Sequence, residues 1–189
     1  QMLAKGHDFP NVTLVGILDA DQGLLSSDFR GPEHLAQLII QVAGRAGRAE
    51  RAGEVFIQTH HPDHPLLATL LNQGYNGFAR AALEERRVSE LPPFSYLAIL
   101  RAEANSSDVV NDFLRQAKNL LTGDKVQRFG PLPAPMARRA GRQRMQLVLQ
   151  ASERRDLHAQ LHGWVRALGQ IKGANKVRWS LDVDPVDLY

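Results

Sequence analysis

Residues 34–48, HLAQLIIQVAGRAGR, decide how the first part of the chain is interpreted. Their apolar members recur at helical spacing, which predicts a buried amphipathic helix. This helix leads into Gly44-Arg45-Ala46-Gly47-Arg48, where the two arginines are three residues apart. At that spacing two guanidinium groups lie on one side of a helical turn, and an oxyanion such as phosphate between them relieves their repulsion. A helix end with glycine stop signals and favourably placed cations explains the pattern equally well.

The sequence on both sides of this helix predicts a parallel β-sheet. Residues 12–18, VTLVGIL, form a near-continuous apolar run that fits a strand covered on both faces. Residues 54–59, EVFIQT, are predicted to form a second strand. Pro32 and Glu33 suit the first turn of the intervening helix. The first part of the chain is therefore predicted to be α/β.

Two segments suggest a metal site, and neither has a suitable pattern. The loop at residues 19–28 contains three aspartates but lacks the later ligands and closing glutamate of a calcium loop. Residues 60–65, HHPDHP, contain three histidines, but the prolines favour a strand exit followed by a helix entry. The chain has no cysteine and hence no thiolate site. We expect no metal site in this chain.

The remainder of the sequence predicts a helical linker and a second domain. Residues 66–71 and 78–87 are predicted to be helices broken near Gly74 and Gly77, and the Pro-rich segment at 89–94 is a plausible boundary. The predicted domains are therefore residues 1–60, a helical linker at 61–93, and residues 94–189.

A β-α-β-β-α-β order is predicted for the last domain. Strands are expected at 96–104, 126–129, 145–149 and 177–183, helices at 109–121 and 152–168, and a long loop at 130–144. This order is typical of a split β-α-β, or ferredoxin-like, α+β module.

Positive charge is concentrated in one segment of this domain. The chain carries a net charge of +3, but residues 128–155 contain seven arginines and a single acidic residue, Glu153. Four arginines of the predicted loop are expected to contact phosphates or an acidic protein tail: Arg138, Arg139, Arg142 and Arg144. Arg154 and Arg155, near a helix start, are weaker candidates for an acidic peptide. A solvated charged surface is the alternative.

Several motifs resemble one family of proteins. Residues 5–10, KGHDFP, resemble motif V of superfamily 2 helicases. Residues 41–48, QVAGRAGR, resemble motif VI, whose pattern is Gln-x-x-Gly-Arg-x-Gly-Arg. Further along, residues 59–67 (THHPDHPLL), 85–87 (ERR), 90–93 (ELPP) and 179–185 (WSLDVDP) complete the pattern. Together they resemble the primosomal protein N′ (PriA) family of bacterial replication-restart helicases along the whole chain.

The resemblance implies an ATP-dependent 3′→5′ DNA helicase that recognises stalled or abandoned replication forks and initiates primosome assembly. Residues 1–60 would be the C-terminal portion of the RecA-like helicase lobe 2. Arg45 and Arg48 would face the ATP γ-phosphate, with Arg48 as the arginine finger, and Gln41 would connect nucleotide state to DNA binding. The remaining motif residues would bind nucleotide: Gly6, Asp8, Gly44 and Gly47.

Features of the family that are absent here limit what this chain is expected to do. The phosphate-binding Gly-x-x-x-x-Gly-Lys-Ser/Thr loop, the magnesium-binding acidic box and the zinc-binding cysteines are missing from the sequence. ATP and Mg²⁺ would be held through the missing N-terminal part, and zinc would belong to the full-length family only. We therefore expect a cytoplasmic helicase fragment that is inactive alone.

The resemblance also implies the partners. They would be branched or forked DNA, the acidic tail of single-stranded-DNA-binding protein and other primosome proteins, with no membrane. A non-catalytic module that binds DNA or protein is the alternative reading of the isolated chain, and a pure binding module would have no need of the motif VI arginines.

Overall fold

The computed structural model describes residues 12–44 and 53–188. By its internal contacts the chain divides into two compact units, Gln1–Arg86 and Arg87–Tyr189. Both units contain helices and β-strands, as the sequence predicts. Within the described residues, no helix combines the length and the apolar character that crossing a membrane requires.

Among the described residues of the first unit there are a two-stranded parallel sheet and three helices. Strand β1 (Leu14–Ile17) pairs with β2 (Glu54–Ile57) in the register Leu14 to Glu54 and Ile17 to Ile57. The helices are α1 (Asp21–Leu24), α2 (Gly31–Ala43) and α3 (Pro65–Val88). Pro32 lies in the first turn of α2, where its missing amide hydrogen costs no helical hydrogen bond.

The core of the first unit is formed by one face of the sheet and the apolar sides of the helices. Val15 and Ile17 of β1 are buried with Ile39 of α2 and Leu67 and Phe78 of α3. The segment predicted as a linker thus contributes to this core. Helix α3 is interrupted at Gly74, whose φ of 69° and ψ of −171° are not helical, at one of the two glycines where a break is predicted.

The other face of this sheet carries exposed apolar side chains. Leu14 and Phe56 are 60% and 62% exposed, and they alternate with residues that face the core: Val15 and Ile17, which are buried, and Val55 and Ile57, which are partly buried. Within the described residues the strand at 12–18 is therefore covered on one face only, and the second face of the predicted two-faced strand has no packing partner there. A continuous apolar run cannot show by itself which of its two faces finds a packing partner within the chain.

The second unit is a four-stranded antiparallel sheet with two long helices. Its strands are β3 (Tyr96–Ala104), β4 (Gln127–Arg139), β5 (Arg142–Ala151) and β6 (Arg178–Val183). Helix α4 (Ser107–Asn119) follows β3, and α5 (Arg154–Leu168) follows β5. The strands lie in the order β4-β5-β3-β6, and every neighbouring pair is antiparallel.

The core of the second unit lies between the sheet and its helices. Alternate residues of β3, including Ala98 and Leu100, are buried against Leu114 of α4 and Leu157 of α5. Trp164 of α5 is also buried, and its indole Nε1 donates a hydrogen bond of 2.7 Å to the carbonyl oxygen of Ala117. This bond satisfies the one polar group that the side chain brings into the core.

The prediction of a loop at residues 130–144 is wrong, because this segment forms most of a β-hairpin. Strand β4 continues to Arg139, a two-residue turn follows, and β5 begins at Arg142. The turn residues Ala140 and Gly141 have φ angles of 48° and 79°, as a tight hairpin turn requires.

Proline and glycine in this segment favour a loop by composition, but the segment forms an edge strand. An edge strand tolerates proline because one side of it donates no ladder hydrogen bonds. Gly130 lies where the ladder shifts register, with a φ of 117°. A Cβ atom there would lie 2.8 Å from the carbonyl oxygen of Gln146, so this position requires glycine.

We predict that Leu157→Ala destabilises the second unit by about 2–5 kcal/mol, because Leu157 is fully buried between α5 and the sheet. Val165→Ala on the same helix removes a side chain that is 39% exposed and should cost less than about 1 kcal/mol. Urea unfolding followed by tryptophan fluorescence measures both, since Trp164 and Trp179 belong to this unit. Equal losses for the two variants would contradict this packing.

Candidate functional site

The C-terminal end of α2 presents two of the residues predicted to act on nucleotide. Gln41 and Gly44 are both exposed there. Gly44 has φ and ψ of −66° and −2°, and its amide donates to the carbonyl oxygen of Ile40 at 3.1 Å. The other predicted nucleotide-site residues lie outside the described residues: Gly6, Asp8, Arg45, Gly47 and Arg48.

The carboxylate of Asp21, at the start of α1, links the segment that follows β1 to the segment that follows β2. Asp21 Oδ1 accepts a hydrogen bond from the Thr59 hydroxyl, and its Oδ2 accepts one of 3.0 Å from the amide of His60. These two hydrogen bonds lower the pKa of Asp21, which keeps the carboxylate ionised. They therefore fasten together the carboxyl ends of the parallel strands, the edge at which α/β sheets bind ligands. Across residues 12–44 and 53–188, acidic residues and histidines nowhere assemble into a metal-binding group.

The second unit contains a cleft of about 530 Å³ lined by basic side chains at one end of its sheet. We call it the arginine cleft and define it by Glu103, Arg139, Arg142, Arg144 and Arg178, which all line it. Three of the four arginines that the sequence predicts to bind anions therefore come together. They come from the β4–β5 hairpin, whereas Glu103 and Arg178 come from β3 and β6.

Strand register brings these side chains together. Arg139 pairs with Arg142 directly beside the hairpin turn. Glu103 pairs with Arg144 on one side and with Arg178 on the other. Since side chains of paired residues lie on the same face of a sheet, these groups form one row across β5, β3 and β6. The row lies on the opposite face from the core, because Ala102 and Ala104 on either side of Glu103 are core residues.

The charges within the cleft are only partly compensated. Glu103 Oε2 lies 3.9 Å from Arg144 Nε, and Glu103 Oε1 lies 3.8 Å from Arg178 Nη1. Arg139 and Arg142 are exposed, and no described carboxylate pairs with either of them. The cleft therefore has an excess of positive charge and several N–H donors directed at solvent.

Arg101 also borders the cleft, but its charge is already engaged. Its Nη1 lies 2.8 Å from Asp182 Oδ2, and its Nη2 donates to the carbonyl oxygen of Asp187 at 2.9 Å. A second ion pair, to the Asp187 carboxylate, has a distance of 3.8 Å. Arg101 is thus a structural residue that holds the segment after β6 against β3.

Three predicted residues lie apart from the cleft. Arg138 pairs with Gln143 and therefore points to the opposite face from Arg139. Arg154 lies 3.2 Å from Asp184 Oδ2, and its guanidinium carbon lies 5.0 Å from the centre of the Tyr96 ring. Arg155 pairs with Glu153 at 2.6 Å and is exposed. The basic segment at 128–155 is therefore not a single surface.

Residues 87–186 match the family described as the primosomal protein N C-terminal domain, which covers more than half of the chain. The chain belongs to the PriA family. It is 49% identical to the replication restart protein PriA of Haemophilus influenzae. The match covers 100% of this chain and 26% of the Haemophilus influenzae protein. The chain is 36% identical to PriA of Bacillus subtilis and 32% identical to PriA of Rickettsia conorii, covering 98% and 100% of this chain.

The chain spans about a quarter of the length of these PriA relatives, with 23% of the Bacillus subtilis protein and 29% of the Rickettsia conorii protein covered. Among solved structures, a de novo designed protein matches 48% of this chain at a TM-score of 0.36 and 7% identity. That similarity is too low to inform the PriA fold.

We predict that Gly44→Ala leaves the first unit folded and raises its stability by about 0.4–1 kcal/mol. The backbone of Gly44 is helical, and an added Cβ would meet its nearest described atom, the Ile40 carbonyl oxygen, at 3.5 Å. Hydrogen exchange of the α2 amides measures this change, and faster exchange in the variant would show that the fold itself needs glycine.

Proposed function

We propose that this chain is the C-terminal part of an ATP-dependent 3′→5′ DNA helicase that acts at stalled replication forks and initiates primosome assembly for replication restart. The observation that carries the proposal is the arginine cleft, a basic site of about 530 Å³ in the domain by which the chain belongs to the PriA family. DNA is the expected ligand of this cleft. The first unit is proposed to supply one side of an ATP site.

The first unit is proposed to be part of a RecA-like lobe. Its parallel strands, the intervening helix α2 and the exposed end of that helix at Gln41 and Gly44 support this assignment. Arg45 and Arg48 follow directly in the sequence. In the proposed mechanism they face the γ-phosphate of ATP, and Arg48 stabilises the charge that develops during phosphoryl transfer.

The second unit is proposed to be a ferredoxin-like domain. Its β-α-β-β-α-β order, its all-antiparallel sheet in the order β4-β5-β3-β6 and its two helices packed on one face support that assignment. This architecture leaves the other face of the sheet available at the end where the arginine cleft lies. A DNA backbone is proposed to bind there.

The chemistry of the arginine cleft favours sequence-independent binding to phosphates. Guanidinium groups recognise phosphate oxygens with paired N–H donors, and Arg139 and Arg142 have no competing carboxylate among the described residues. Trp179 borders the cleft, but its ring stacks on Phe113 with centroids 6.4 Å apart. Base stacking is therefore expected to add little, and phosphate contacts should dominate.

We predict that Arg139→Ala with Arg142→Ala lowers the affinity of the chain for forked DNA by about tenfold at low salt and reduces the salt dependence of binding. Each lost phosphate contact should lower the slope of log K against log salt by about 0.9 on duplex and about 0.7 on single strands. Fluorescence anisotropy with labelled forks of two unrelated sequences measures the affinity, the slope and the lack of sequence preference.

Two single variants provide matched controls. Arg138→Ala removes the neighbouring charge on the opposite face, and Arg115→Ala removes an exposed arginine of α4. Both should change the affinity less than twofold. If an acidic peptide, and not DNA, loses binding in the double variant, the cleft is a protein-binding site.

We predict that Arg48→Ala removes the DNA-stimulated ATPase activity obtained when this chain is combined with the N-terminal remainder of the protein. Loss of an arginine finger lowers the rate by about 10³–10⁵-fold. This chain alone is expected to show no ATPase activity, since its sequence lacks the phosphate-binding loop. A colorimetric phosphate assay with forked DNA tests both statements.

Activity of the chain alone would reveal a second nucleotide site. If the combined sample shows no ATPase activity but still binds forks, the alternative is favoured in which the chain is a non-catalytic DNA- or protein-binding module. The arginine cleft is compatible with both candidates, because it would serve binding with or without nucleotide chemistry, and the ATPase assay separates them.

The acidic tail of single-stranded-DNA-binding protein and other primosome proteins are also proposed as partners. Both predicted tail contacts already have an acidic partner, Asp184 for Arg154 and Glu153 for Arg155, and Arg155 has the more exposed side chain of the two. ATP and Mg²⁺ are proposed to be bound through the N-terminal remainder. Zinc has no thiolate ligand in this chain, which contains no cysteine.

A further inference from the structure

Glu103 is the acidic residue that lines the arginine cleft, where its charge opposes the binding of any anion. It lies on the middle strand of the row, and each of its carboxylate oxygens faces a different guanidinium group. Its side chain is 24% exposed, so it is half-buried between its partners and does not extend freely into solvent. Both of its ion pairs are made across strands, which ties their geometry to the sheet.

The distances to Glu103 show that it positions the arginines without saturating them. At 3.8 and 3.9 Å both contacts are ion pairs that are too long for hydrogen bonds. Arg144 also donates to the carbonyl oxygen of Met136 at 3.4 Å, and its side chain is largely buried, whereas Arg178 is 81% exposed. Arg144 is therefore fixed by the hairpin as well, and Glu103 is the only described ion-pair partner of Arg178.

We propose that Glu103 is a positioning residue that holds Arg144 and Arg178 and competes with the ligand's phosphates for them, and so sets the affinity and salt dependence of the arginine cleft. This inference rests on the proposed function of the cleft as a DNA phosphate site. While Glu103 pairs with both arginines, the row carries a net charge of +1, and Arg139 and Arg142 supply most of the attraction. Bound phosphates compete with Glu103 for Arg178 Nη1, the guanidinium nitrogen that faces the carboxylate.

A carboxylate in this position limits non-specific binding. A cleft with four unopposed arginines would bind any polyanion tightly, and release would be slow because affinity differences appear chiefly in the dissociation rate. When a bound phosphate leaves Arg178 or Arg144, the carboxylate of Glu103 takes its place, and this carboxylate is always present because it is part of the sheet. The cleft therefore gains a built-in competitor of fixed effective concentration.

The test is a double-mutant cycle between Glu103→Gln and Arg178→Ala in the whole 189-residue chain, with a short single-stranded oligothymidine as the probe. Glu103→Gln should raise the affinity about tenfold at low salt, and the salt slope should grow by about 0.7 for each arginine released. Arg178→Ala should lower the affinity about twofold with Glu103 present, and about tenfold or more in the Glu103→Gln background, where no carboxylate competes for this arginine.

Controls separate a specific role of Glu103 from net charge and from folding. Asp124→Asn makes the same change in net charge at an exposed loop position and should alter the affinity less than twofold. Glu103→Asp keeps the charge and should keep the salt slope of the original chain. Thermal unfolding by circular dichroism verifies that each variant is folded at the temperature of the assay.

The outcomes separate this inference from the function on which it rests. If Arg139→Ala with Arg142→Ala leaves oligothymidine binding unchanged, the cleft is not the DNA site and the proposed function fails with it. If that double variant weakens binding, but Glu103→Gln behaves like Asp124→Asn or Arg178→Ala costs the same in both backgrounds, the cleft binds DNA and the role of Glu103 is overturned.

Discussion

The register in which β3 pairs with its two neighbours is the constraint on which the second unit depends. It places Ala102 and Leu100 against the helices and, in alternation, Glu103 between Arg144 and Arg178 on the other face. A shift of one residue would move the charged side chains of Arg101 and Glu103 into the core between the sheet and its helices. The strand register that buries Leu100 and Ala102 against the helices therefore also aligns Glu103 with Arg144 and Arg178, and no further interaction is needed to align them.

The hairpin between β4 and β5 adds the exposed part of the cleft to this frame. Its turn at Ala140 and Gly141 places Arg139 and Arg142 side by side at the end of the sheet, beyond the ion pairs of Glu103. The cleft thus has one pair of arginines that share a single carboxylate and a second pair that has no carboxylate partner among the described residues. The second pair is exposed and contributes most to the attraction of a negatively charged strand.

The elements with strong periodicity could be predicted from the sequence, and those defined by pairing could not. The sequence predicts strand β3 at 96–104, and the strand spans Tyr96–Ala104, because its apolar residues and its flanking polar segments mark both ends. For the hairpin the sequence predicts a loop, because prolines and glycines favour loops by composition, while the edge position that accommodates them is a property of the sheet.

The site shows the same division. The arginines of the hairpin are predictable from their local density, but Glu103 and Arg178 are 75 residues apart and meet only through the register of β3 with β6. The alternation of polar and apolar residues in β3 and β6 was the available signal, since it places Arg101, Glu103 and Arg178 on the face away from the helices. The nucleotide-site residues were selected through their family motif.

The prolines of β4 have a consequence for behaviour in solution. Pro131, Pro133 and Pro135 lie on the outermost strand of the sheet, and each lacks the amide hydrogen that a foreign strand would need to extend the ladder. This border of the sheet is therefore a poor template for intermolecular strand addition. When copies of the chain come close together at high concentration, this border therefore offers them no route to aggregation through strand pairing.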